Sequence, residues 1–310
     1  MTVADDVRPP ALGLGLRRLG AIGRARVEAA RQPLSPAAAL ATRYLALLAG
    51  LAAWLVCYIF GFSALQEHHD QHNLYAAFRQ QLAEATAPIG GAIPEGRPVA
   101  VITAAAAGIH RVVVVEGTSA SDLQAGPGHL PGTVLPGQPG TATLLGRSTA
   151  FGGPFGRLPA LQPGDPIAVT TGQGTFHFTV TRIRQPGDAV PAPQPGTSTL
   201  TLVTAAHGGW TAGWSPSHAV FVDATLAGNP ATAVAASGAP TSADLVMHGD
   251  GTALVPLVLW LQALVVVGLA VFWAYAKWGR RQTWLVGIPL ATAAMWGASD
   301  AVVRLLPNLF

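Results

Sequence analysis

The chain has 310 residues, of which half are apolar and only 11% are charged, a composition too apolar for an ordinary soluble domain and one that directs attention to membrane segments. A net charge of +3 and a pI near 9.5 would by themselves suit a polyanionic partner. The excess base sits in the flanks of apolar runs, however, and residues 66–252 hold seven Arg or Lys against eleven Asp or Glu, which argues against nucleic acid as a partner.

Residues 1–43 form a basic segment, with Arg8, Arg17, Arg18, Arg24, Arg26, Arg31 and Arg43 set against Asp5, Asp6 and Glu28. Residues 44–65, YLALLAGLAAWLVCYIFGFSAL, carry no charge and are long enough to cross a hydrocarbon core of about 30 Å as a helix. The run is long and lies deep in the chain for a cleaved signal peptide, so it is read as an anchor. It contains Cys57, the single cysteine, which leaves the region beyond it without a disulfide, a thiolate nucleophile or a cysteine metal ligand.

Residues 66–96 read as a helix and a linker outside the membrane. Leu74, Phe78 and Leu82 recur at helical spacing in EHHDQHNLYAAFRQQLAEA, and a stretch rich in Gly, Pro and Ala follows from Ala87 to Arg97. His68 and His72 share a helical face, but no third ligand stands nearby, and a solvated polar face accounts for them better than a metal. From 97 to 227 the pattern changes to short alternating runs separated by Gly and Pro, among them HRVVVVEG, GTATLLG, STLTLVTA and HAVFVDATL. Gly172-Gln173-Gly174 joins two such runs as a hairpin turn. This is the pattern of one closed, mainly β domain.

Residues 228–252, including NPATAVAASGAPTSA, read as a flexible tether. A second span follows at 253–276, then a basic loop at 277–283 with Lys277, Arg280 and Arg281, a third span at 284–304 broken by Pro289, and a short tail at 305–310. The basic flanks predict a cytoplasmic N-terminus and loop, with the β domain on the other side of the membrane. Asp300 and Arg304, four residues apart, predict an intrahelical pair. Gly287, Ala291, Ala294 and Ala298 offer a close-packing face by which the second and third spans would dock another membrane protein.

Within the β domain, GPGHLPGTVLPGQPGTATLLGRSTAFGGPFGRLPALQPGDPIAVTT, residues 126–171, followed by TLTLVTA, resembles the sortase family, particularly the class E and F sortases of actinobacteria. The resemblance covers about residues 97–227. It implies an eight-stranded β-barrel outside the membrane, flanked here by one N-terminal and two C-terminal transmembrane helices. It also implies cysteine transpeptidase chemistry on a sorting-signal peptide, with no cofactor. That chemistry needs a Cys nucleophile after the TLxT strand, a His acid after the Gly ending the preceding strand, and an Arg on the next strand to stabilise the oxyanion.

The chain departs from all three. Ala205 follows Thr201, Leu202, Val203 and Thr204, and a methyl cannot attack. Arg147 follows Gly146, and a guanidinium is no acid or base near neutrality. His218 stands where the family has Arg. Substitute machinery is weak: Thr204 and His207 are a hydroxyl and a base close in sequence, Ser148 beside Arg147 is a weaker candidate with no acidic partner apparent, and Asp223 falls on the wrong face of its strand to orient His218. The expectation is therefore a sortase-like protein without transpeptidase activity that binds an extended peptide or a cell-wall component in its groove. Ligand contacts would come from Arg147, Thr204, His207, Trp210, Trp214 and His218. Arg147 suits a carboxylate or phosphate, or else pairs with Asp122 or Asp165. Trp210 and Trp214 form a binding platform, or seal the barrel end, or touch the membrane. His129, in a turn-rich stretch, is expected to hold structure by a hydrogen bond. An active hydrolase using Thr204 and His207 is the alternative.

Overall fold

A computed structural model describes residues 35–192, 194–207, 216–236 and 238–310. The chain divides into two compact units, Met1–Trp54 and Leu55–Phe310. In the first, the described residues lie in helix α1 (Pro36–Cys57), in which no residue is buried and Leu40, Tyr44, Leu45, Leu47 and Leu48 are exposed. Such a helix, apolar all round and uncovered among the described residues, is long and apolar enough to be a candidate membrane span.

The second unit opens with the end of α1 and a π-helical turn, Tyr58–Phe62, followed by α2 (Ser63–Ala83). The barrel then forms from β1 (Pro98–Ala104), β2 (Ile109–Glu116), β3 (Gly128–His129), β4 (Gly140–Leu145), β5 (Pro166–Thr171), β6 (Gly174–Arg184), β7 (Ser198–His207) and β8 (Pro216–Leu226). A four-residue helix, α3 (Asp122–Ala125), lies between β2 and β3. The strands close in the order β1-β2-β3-β4-β7-β8-β6-β5. The predicted hairpin is present, with Thr171 paired to Gly174. Alternation sends Ile102, Leu144, Ile167, Phe178, Leu200, Leu202, Val222 and Ala224 into one buried core. In β7 this leaves Thr201, Val203 and Ala205 on the barrel's outer face.

Two more helices, α4 (Leu254–Trp278) and α5 (Arg280–Leu305), pack as a hairpin turned at Gly279, whose φ is 92°. Among the described residues three helices are thus long and apolar enough to cross a membrane: Pro36–Ala83, Gly251–Trp278 and Arg280–Leu305. The loop expected at 277–283 shrinks to a single residue. Pro289, expected to break its span, lies inside α5; one missing N–H costs little where neighbouring helix turns remain bonded. Small residues of α5 face α4: a Cβ on Gly287 would stand 2.8 Å from Val271, and one on Gly297 would run into the Trp260 ring. At Gly287 the face expected to receive a partner protein is therefore used within the chain.

The segments expected as linkers are docked. Gln71 of α2 donates to the carbonyls of Val113 and Ala125 and accepts from the Val113 amide, pinning the helix to the barrel. The Gly91 amide donates to Ala235, the Ala231 amide to Gly137, and Gln138 Nε2 to Ile89. Asp244, 2% exposed, accepts from the Thr118 amide at 3.0 Å and from Thr241. Gly and Pro in these stretches allow close backbone approach rather than free motion.

Candidate functional site

At the end of β7 the backbone is held on both sides, by β4 with Leu145 beside Val203, and by β8 with Ala205 opposite Ala219. Ala205 is 1% exposed, its methyl lying with Leu145, Val203, Ala219 and Leu123 of α3. The same register corrects one expectation. His218 stands opposite Ala206, so it points to the other face of the sheet from Ala205, and the residue across from Ala205 is Ala219. Asp223 is engaged elsewhere, accepting from Arg184 Nη2 at 3.0 Å and from Thr201 Oγ1 at 3.0 Å. That hydrogen bond holds Arg184 above its ordinary pKa.

Thr204 is fully buried and its hydroxyl donates to the Gly146 carbonyl at 3.0 Å. It shares Ala206's face rather than Ala205's. His207 closes β7, and its side chain lies outside what is described, as do Trp210 and Trp214 altogether.

Arg147 is not the floor of an open groove. It is fully enclosed, donating from Nε to Leu123 O at 3.1 Å and from Nη2 to Ala120 O at 2.7 Å, with its guanidinium 5.1 Å from the Phe151 ring centroid. Nη1 has no hydrogen-bond partner. Its anchors are these main-chain carbonyls rather than Asp122, which bonds Ser119, or Asp165, which bonds the Gln162 amide. Burial pushes its pKa down to about 10, opposed by Asp300 and Tyr58. It remains a cation at neutral pH and an unsuitable proton donor there.

Asp300 and Arg304 do not pair with each other. Asp300 accepts from Gln124 Nε2 of α3 at 2.9 Å, and Arg304 Nη2 donates to Asp250 at 2.7 Å. A carboxylate in a span thus answers a polar group and a buried cation of the barrel, a pairing between distant segments that helical spacing hid. His129, fully buried, lies 2.8 Å from Glu116 and 3.0 Å from the Val134 carbonyl, ties consistent with a structural role. His68 and His72 are exposed beside an open cavity of about 310 Å³ shared with Tyr75, His110 and Arg111. Among the described residues no group of three or more His, Cys, Asp or Glu is placed to hold a metal.

The feature that the sequence reading passed over is the stretch 307–310. The Leu309 carbonyl accepts from the Ser148 amide and hydroxyl, both at 2.9 Å, and the Phe310 carbonyl accepts from the Ala150 amide at 3.1 Å. Leu309 is fully buried in the cluster that contains Ala205. Its signal was slight: an apolar Leu-Pro-Asn-Leu-Phe run where a polar tail would be expected.

A closed eight-stranded barrel with its strand-end site between β4, β7 and β8, carried by a chain with three apolar helices, is the architecture of a membrane-associated sortase fold. Residues 102–212 match the Sortase domain family model, and the barrel has the sortase fold. No curated protein matches the chain. Among solved structures, a sortase D5 transpeptidase of Clostridium perfringens is 23% identical, covering 52% of this chain and 99% of its own, with a TM-score of 0.42. A sortase from Actinomyces oris is 27% identical over 45% of this chain and 85% of its own, with a TM-score of 0.40. Sortase E from Streptomyces avermitilis is 27% identical over 45% and 93%, with a TM-score of 0.36.

Proposed function

We propose that the chain is a membrane-anchored sortase-fold protein of the cell envelope that performs no transpeptidation and instead binds an extended peptide, such as a surface-protein tail, along the outer face of β7. A cell-wall component is the other ligand class that suits such a groove. The carrying observation is the environment of Ala205: a methyl on an apolar outer face, with Ala219 opposite it. Acyl transfer needs a nucleophile, a proton donor for the leaving amine and a donor for the oxyanion. Alanine supplies none of these, and Arg147 already spends two of its donors on carbonyls. Extended-peptide recognition by backbone pairing requires none of them. The alternative, a hydrolase built on Thr204 and His207, is disfavoured because the Thr204 hydroxyl is buried and committed to Gly146. The basic flanks and the three apolar helices support a multi-pass placement, with a cytoplasmic N-terminus and the barrel outside.

The test is mass spectrometry of the full-length chain in detergent, incubated with sorting-signal peptides and amine acceptors. The native chain is expected to yield neither cleaved nor joined products. A product that disappears in Thr204→Ala would replace this reading with the hydrolase.

A further inference from the structure

The outer face of a small barrel at a strand end is ordinarily open to solvent, yet Ala205 is 1% exposed and Ala219 5%. Among the described residues, the chain's own segment after α5 packs against them, together with Leu123 of α3 and Met247. Leu309 fills the space bounded by Leu123, Leu145, Val203, Ala205 and Ala219. Its own carbonyl and that of Phe310 accept from main-chain donors of the loop after β4, Ser148 and Ala150 respectively. Asn308, fully buried, donates to the carbonyls of Thr118 and Leu245 at 3.0 Å each, and its own amide donates to His248 at 2.9 Å. A peptide backbone paired with a loop, a leucine in an apolar pocket and an amide side chain whose Nδ2 donates to two carbonyls are the parts of a peptide-recognition site.

We propose that the pocket over Ala205 is a receptor for an extended peptide bearing a leucine-sized apolar side chain, and that residues 307–310 are its resident occupant in cis, which any peptide in trans must displace. The inference rests on the peptide-binding reading above and adds both the chemistry of the ligand and the control of access. An occupant tethered to α5 competes at a high effective concentration, whereas a free peptide competes only at its own. The cap is coupled to the membrane helix that carries it, because Asp300 is bonded to Gln124 and Arg304 to Asp250 at the barrel end of α5. Displacing that end of α5 removes the occupant.

Two measurements test this, both on the chain in detergent micelles. In the first, Cys57→Ser and Ala205→Cys are combined, and the rate of labelling at position 205 by N-ethylmaleimide is followed by intact mass. Stopping the chain at Leu306 is expected to raise the rate at least about ten-fold, as follows from a site closed in nine molecules of ten or more. A chain with Cys57→Ser and Val190→Cys, position 190 being 76% exposed, should label equally with and without residues 307–310. Leu309→Asp in the full-length chain gives the same increase by a route that keeps Asn308 and the chain length. Unchanged labelling in both variants overturns the cap. In the second measurement, the probe is a fluorescein-labelled synthetic peptide, Leu-Leu-Pro-Asn-Leu-Phe, read by fluorescence polarisation with Ala205 restored. The chain ending at Leu306 is expected to bind it at least about ten-fold more tightly than the full-length chain, and Ala205→Trp should abolish binding. If labelling rises but the probe shows no saturable binding, the segment is a plug and the receptor reading falls with the function on which it rests.

Discussion

Arg147 carries a full charge into a place closed to bulk solvent, and this sets the energetics of its surroundings. Two carbonyls, an aromatic face and the carboxylate of Asp300 answer it. Removing one member of such a set strands the others, at a cost of about 3–5 kcal/mol. Arg147→Ala should therefore destabilise the chain by about that much in denaturant titration in detergent. Arg147→Met combined with Asp300→Asn should cost much less than the sum of the two single changes, because the pair of changes removes both charges together. A loss under about 1 kcal/mol for Arg147→Ala would mean that water reaches the guanidinium. The alanine that follows the TLVT strand could be read directly from the sequence. The partners of Arg147 could not: Ala120 and Leu123 contribute carbonyls, which every residue has, and Asp300 is brought in by folding across more than 150 positions.

The barrel strands were mostly visible as alternating runs, and the membrane helices as uncharged ones, because both signals repeat within a single element. Strand β3, two residues long, has no period to show, and its pairing with β2 and β4 depends on the surrounding loops. The stretch 228–252 misled for a related reason: its composition is that of a free tether, while Asp244 fixes it through Thr118, an interaction between positions 126 apart. Burial raises the Asp244 pKa, but hydrogen bonds from Thr241 and Thr118 outweigh this and hold the group below its ordinary value. Asp250 follows the same pattern, with bonds from Thr252 and Arg304 overcoming its desolvation. Folded pKa values below the unfolded ones mean that these carboxylates stabilise the docked segment above the unfolded pKa of about 4 and lose that contribution as pH falls through the folded value. Hydrogen exchange at the Thr118 amide, corrected for intrinsic rates, should stay protected from neutral pH down to about 5 and lose protection below about 4. Asp244→Asn should lower the protection at neutral pH and flatten its pH dependence. A native profile with no acid limb would show that the docking owes nothing to the carboxylate.

At the level of the molecule, the remaining question is which side of the membrane holds the barrel, and the hairpin of α4 and α5 makes it answerable. Arg304 meets Asp250 at one end of the hairpin and Gly279 turns the chain at the other. A helix the length of α4, 25 residues, separates the two ends by about 37 Å, enough to cross a core of about 30 Å. Lys277, Arg280 and Arg281 lie at the Gly279 end, and basic residues beside short turns are retained in the cytoplasm. On that rule the barrel, at the Asp250 end, is proposed to lie outside. In a Cys57→Ser background, Val190→Cys on intact cells should react with a membrane-impermeant maleimide, whereas Gln282→Cys should react only after permeabilisation. The opposite pattern would place the barrel in the cytoplasm, where a groove for envelope peptides has no ligand to meet, and the proposed function would fall even if the groove binds peptide in the test tube. The expected pattern would instead leave the Leu309 pocket facing the compartment in which envelope peptides are presented, with its occupant carried by a helix that other membrane components can reach.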